Sequence, residues 1–91
     1  MEDRLARAGN WSPWKARIVL ILEEGELWDI VESHVVPRTY AMLLEEFMKM
    51  NIKAKRTILD AVKDHIIPHV FDKDFAFQMW QSLCSLYQIP N

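Results

Sequence analysis

The chain carries little of what marks a catalytic, secreted or membrane protein. It has a single cysteine, Cys84, which cannot form an internal disulfide; this fits a reducing compartment and leaves the fold to non-covalent forces. Glycines number two and prolines four, and no Gly-rich phosphate loop or strand alternation with hairpin turns is present. An uninterrupted apolar run such as Ile18 to Leu22 is five residues long, against the roughly 20 that a membrane helix needs. Charge of one sign is not concentrated either. The net charge is −2, and the eleven basic residues are scattered from Arg4 to Lys73, so no basic block builds a phosphate-neutralising face by itself. The opening Met-Glu-Asp-Arg has no apolar core of a secretory signal, which leaves the Asn10-Trp11-Ser12 sequon an accident of composition. These absences point to a soluble protein inside the cell, in the cytoplasm.

What is there is helical patterning. With 91 residues, 51% of them hydrophobic and 26% charged, the chain suits one small globular domain with a modest core. Ser12 followed by Pro13 reads as an N-cap and first helical residue, after which Trp11, Trp14, Ile18, Ile21 and Leu22 recur at helical spacing. Gly25 supplies a stop. A short helix from Glu26 to Ser33 would bury Leu27, Trp28 and Val31, and Val35-Val36-Pro37 reads as extended. Thr39 is the next cap. From there Tyr40, Leu43, Leu44, Phe47, Ala54, Ile58, Ala61 and Val62 share one face of a long helix to about Asp64, with a weak point at Met50-Asn51. Pro68 ends any continuation. Asp72 or Asp74 would cap a last helix whose face is Phe75, Ala76, Met79, Trp80, Leu83, Leu86 and Tyr87, closed by Pro90. The expectation is an all-α bundle of four helices. Its core would hold Trp14, Ile18, Leu22, Trp28, Phe47, Ile58, Val62, Trp80, Leu83 and Tyr87.

Two segments carry a resemblance. The first is Asn10, Trp11, Trp14 and Lys15, continuing to Leu22 and Leu27-Trp28-Asp29-Ile30-Val31-Glu32. The second is Lys53-Ala54-Lys55-Arg56, Ile58-Leu59-Asp60-Ala61-Val62-Lys63-Asp64-His65 and Ile67-Pro68-His69, ending in Met79-Trp80, Leu83 and Leu86-Tyr87-Gln88. Together they resemble the capsid region of Gag from copia-type retrotransposons, most of all plant elements, over most of residues 10–88. Residues 33–46 match loosely. Two positions depart from the pattern: Ala6 stands where the family usually has a large apolar residue, with Leu5 one position out of register, and Phe75 and Phe77 replace small or charged residues. The resemblance implies a helical lobe like a retroviral capsid domain, over residues 11–88, between an extension at 1–10 and a tail at 89–91. It implies self-association into a virus-like particle shell, with the rest of Gag as partner and RNA bound mainly by regions outside this chain. The family's second capsid lobe, zinc knuckle and enzymes are not in this sequence, which then reads as a truncated Gag or a domesticated host copy.

Candidate chemical groups each have a plainer account. His65 and His69 have metal-ligand spacing, but Pro68 lies between them and no HExxH glutamate accompanies them, so a core-side histidine and a loop histidine are expected. Asp60 and Asp64, an i, i+4 pair beside Arg56 and Lys63, read as a solvated face rather than an acid/base dyad. Cys84 reads as a small packed hydrophobe. No catalytic constellation, cofactor or metal is implied. Lys49, Lys53, Lys55 and Arg56 form the densest basic patch and are candidates for weak nucleic-acid contact, yet no aromatic platform interleaves them and Glu45, Glu46 and Asp60 border them.

The first helix carries an anomaly. Lys15 and Arg17 sit near its positive end and Glu23, Glu24 and Glu26 near its negative end, each at a cost of roughly 0.3–1 kcal/mol when exposed. Leu20 points away from the core stripe among these charges. A lone surface leucine needs no explanation, but this face is also a candidate contact with a neighbouring subunit. Phe77, at the rim of its stripe, is edge packing or part of a partner patch. The function expected is structural: a Gag-like module that self-associates into a particle shell. A host-domesticated adaptor, binding a peptide or helix of another protein in an apolar groove, is the alternative, and an RNA-binding helical domain comes third.

Overall fold

A computed structural model describes residues 4–33 and 41–88. The protein is all-α, with helices α1 (Trp11–Glu24), α2 (Trp28–Ser33), α3 (Ala41–Asp60) and α4 (Ala76–Tyr87), and 3-10 turns at Ala8–Asn10 and Ile67–His69. The expected extended Val35-Val36-Pro37, the cap at Thr39, the side chains of Tyr40 and Leu43 and the closing Pro90 lie outside the described residues. No helix among the described residues is long and apolar enough to cross a membrane.

α1 begins two residues earlier than Ser12-Pro13 suggests, with Asn10 at the N-cap position. The Ala8–Asn10 turn runs directly into Trp11, which leaves Pro13 still within the first turn, where its missing N–H has no helical partner to lose. Asn10 holds the segment before it: its Oδ1 accepts from the amides of Ala6 and Arg7, and its Nδ2 donates to the Arg4 carbonyl. Residues 4–10, set apart as an extension in the sequence reading, are thereby packed with the domain, and Leu5 is fully buried.

The inner face of α1 buries Trp11, Trp14, Ile18 and Leu22. Ile21 is a correction. It lies about 60° from the centre of that face at 100° per residue and is left 54% exposed. Gly25 does end α1, but its own φ of −82° is ordinary. The left-handed position belongs to Glu26, at φ 59°. That turn lets the Leu27 amide donate to the Leu22 carbonyl at 2.7 Å and aims Leu27, Ile30 and Val31 into the core, with Trp28 half-buried.

α3 stops at Asp60 rather than Asp64, and the cause is tertiary. The Ala61 carbonyl is taken by the Leu5 amide and by Trp14 Nε1, both at 2.8 Å, and the Lys63 amide donates to Leu5 O. Leu5 and Val62 thus form a short parallel bridge that draws the chain off the helix axis while keeping Val62 in the core. Met50-Asn51 is no weak point, since α3 is continuous through it. Leu44, assigned to the buried face, is instead 42% exposed, whereas Phe47, Ala54 and Ile58 are buried as expected. Pro68 lies in the 3-10 turn that follows, where its ring costs no hydrogen bond.

α4 is not capped by Asp72 or Asp74. Phe75 holds the N-cap position, and the amides of the first turn are met by one side chain from α3 and one from α4 itself. Asn51 Oδ1 accepts from the Ala76 amide at 2.8 Å and Gln78 Oε1 accepts from those of Asp74 and Phe75. Ala76, Met79, Trp80 and Leu83 are buried, while Leu86 proves exposed. Trp80 meets the rings of Trp11, Trp14 and Trp28, and Tyr87 stacks on Trp11 at 5.8 Å, so aromatics from α1, α2 and α4 form one cluster.

Candidate assembly surface

α1 divides its side chains sharply. Away from the buried face lie Arg17, Leu20 and Glu24, with Ile21 at its edge, together at positions i, i+3, i+7 and i+4 and all of them exposed. Leu20 is 66% exposed, the highest value among the large exposed hydrophobics of the described residues. Two adjacent aliphatic side chains therefore face solvent between a cation toward the helix N-terminus and an anion toward its C-terminus. Glu24, the last residue of α1, opposes the negative end of the helix dipole, whereas Arg17 is mid-helix and outside the reach of either end.

Of the residues expected on this face, Lys15 belongs elsewhere. It is half-buried, and its Nζ donates to Gln88 Oε1 at 2.9 Å, tying the start of α1 to the end of α4. The same ammonium faces Cys84, whose thiol pKa is pushed up by burial and pulled back in part by Lys15. Glu23 is exposed and lines an open cleft with Glu26, Trp28 and Asp29. Phe77 is half-buried on α4.

The basic patch is spread over α3 and mixed with acid. Lys49, Lys53 and Arg56 are exposed and Lys55 half-buried, but Lys49 lies 4.0 Å from Glu45 and Arg56 3.7 Å from Asp60. The Asp60–Asp64 pair does not share a helix face, because α3 ends between them. His65 is exposed on the turn after α3, not on the core side of a helix end; its Nε2 meets the Ala6 carbonyl at 2.8 Å, while His69 is exposed in the 3-10 turn. Among the described residues no group of three or more His, Cys, Asp or Glu side chains could hold a metal ion.

The sequence reading missed three features. Asn51 is almost fully buried and holds two backbone groups of the α4 entrance; a polar residue on an apolar helical stripe was its only signal. Leu5 is a core residue, hidden by an N-terminal stretch without periodicity. Met48 and Ile52 stand exposed beside Leu44, and only the packing of α3 against its neighbours could tell that side from the buried one. No family model, curated protein or solved structure matches the chain.

Proposed function

We propose that this protein is a Gag-like capsid module that self-associates through the outer face of α1. One observation carries the reading: Leu20 and Ile21 are exposed side by side, bracketed by Arg17 and Glu24. A second copy laid antiparallel across this face sets Leu20 against the other copy's Ile21 and Arg17 against its Glu24, twice over by symmetry. Each Arg17 then lies beside the C-terminal end of the other copy's α1, and each Glu24 beside the other copy's Arg17, an opposite charge that offsets its unfavourable place at the end of its own helix. The resemblance of residues 10–88 to copia-type Gag supports the same reading, with the rest of Gag and its RNA-binding part outside this chain.

The adaptor alternative has no comparable support. The clefts at Glu23, Glu26, Trp28 and Asp29 and at His69, Gln81, Ser82, Ser85 and Leu86 are lined mainly by polar side chains, not by an apolar groove. Sedimentation velocity across a concentration series tests the proposal. Wild type should associate with rising concentration, and Leu20→Asp should raise the concentration needed by about tenfold or more, the equivalent of roughly 1.4 kcal/mol. Unchanged association of a folded Leu20→Asp variant would refute this use of α1.

A further inference from the structure

α3 presents a second stripe with the same kind of symmetry. Leu44, Met48 and Ile52 fall four residues apart and are 42%, 42% and 64% exposed. They form one ridge of the helix, of the sort that packs into the groove of another. Phe47, Ala54 and Ile58 lie roughly a quarter-turn away and are buried, so the ridge is not shared with the core.

Charge along α3 says what would cover it. Glu45 and Glu46 precede Met48, and Lys49, Lys53, Lys55 and Arg56 follow it; Glu45 lies 4.0 Å from Lys49, and the terminal Asp60 lies 3.7 Å from Arg56. A second copy reversed about Met48 brings Leu44 against the second copy's Ile52 and Met48 against its counterpart. It also places Glu45 between the second copy's Lys49 and Lys53. A parallel copy would set like charges together, and a partner of one sign would match only half of the helix. We infer that α3 forms a two-fold contact with a second copy of this chain, centred on Met48.

The inference rests on the α1 reading for its consequence. A two-fold contact alone closes at a dimer. Two different two-fold contacts on one subunit, at α1 and α3, take association past the dimer: to a closed dihedral oligomer where the two axes meet, and to a continuing chain where they do not. Three apolar side chains from each copy fall far below the roughly 20–30 residues a side of a standard interface. Each contact is therefore weak alone and gains from the others in an assembly.

The test uses the full chain with Cys84→Ser, carrying either Met48→Cys or Ile52→Cys, oxidised by a glutathione redox buffer. Antiparallel pairing about Met48 places the two copies' position 48 together and separates their position 52 by about 12 Å along the helix axis. Met48→Cys should form disulfide-linked dimers about tenfold faster than Ile52→Cys, although position 52 is the more exposed of the two. Equal rates, or faster linking at position 52, would overturn the pairing. In sedimentation, Met48→Asp and Leu20→Asp should each stop association at dimers, and the double variant should be monomeric. Species unchanged by Met48→Asp but reduced by Leu20→Asp would remove the α3 contact and leave α1 standing; the reverse would remove α1 and leave α3.

Discussion

Replacing Asn51 with alanine removes two hydrogen bonds at once and strands one partner inside the protein. Asn51 Oδ1 accepts from the Ala76 amide at 2.8 Å, and its Nδ2 donates to the Asp74 carbonyl at 2.9 Å. Ala76 is fully buried, so its amide would lose its acceptor with no water to replace it, at about 1–3 kcal/mol. Asp74 is exposed and its carbonyl can be rehydrated, so that bond contributes only about 0.5–1.5 kcal/mol. The sum is about 3 kcal/mol, a large part of the roughly 5–14 kcal/mol expected for a domain of this length. At about 4–8 °C per kcal/mol the midpoint of thermal unfolding should fall by about 12–24 °C. Urea and thermal unfolding, followed by circular dichroism and tryptophan fluorescence, measure it, with exposed Ile52→Ala as the control expected to stay within about 0.5 kcal/mol. Amide exchange adds a local reading, since the Ala76 amide should lose protection before the middle of α3 does. A loss below about 1 kcal/mol for Asn51→Ala would refute the reasoning that this side chain anchors α4.

Two further outcomes concern the α1–α2 corner and the lone thiol. Glu26 occupies the left-handed region at φ 59°, so Glu26→Gly should stabilise the protein by about 0.5–1 kcal/mol in urea unfolding, despite the usual cost of glycine. Cys84 has its thiol pKa raised by burial, against a smaller opposing pull from Lys15. The neutral thiol is thus favoured in the folded state, and its contribution to stability is full below the ordinary thiol pKa and is lost as pH rises through the raised folded value. Alkylation by iodoacetamide at mildly alkaline pH should be slower than for free cysteine and slower still in Lys15→Gln; a rate equal to free cysteine would contradict the burial.

The helices themselves were legible because each is periodic. The buried positions of α1, the stripe at Phe47, Ala54 and Ile58, and Ala76, Met79, Trp80 and Leu83 of α4 follow from 3.6-residue spacing alone. Helix ends were less so. The stop of α3 depends on Leu5 and Trp14 reaching the Ala61 carbonyl, contacts that span 56 and 47 positions and leave no local mark. The Ala76 amide at the start of α4 is capped by Asn51, a contact spanning 25 positions, while the local Gln78 rather than the nearby aspartates takes the amides of Asp74 and Phe75. Of the candidate surface, Leu20 and its neighbouring charges could be read from rotation about the helix axis. The exposure of Ile21, Leu44, Met48 and Ile52 could not, because an apolar residue at the edge of a stripe is buried only if another element covers it.

The sequence by itself determined an all-α protein and its main core stripes. Periodicity and local propensity act over a few residues, and that is enough to set which face of a helix is apolar. Only the tertiary structure decided where α3 and α4 end and which edge residues face water. It also decided that the charges of Arg17 and Glu24 bracket two exposed aliphatic side chains, and that Lys15 is bound to Gln88 instead of joining them. Those outcomes depend on hydrogen bonds and contacts between segments distant in sequence, which no window along the chain contains.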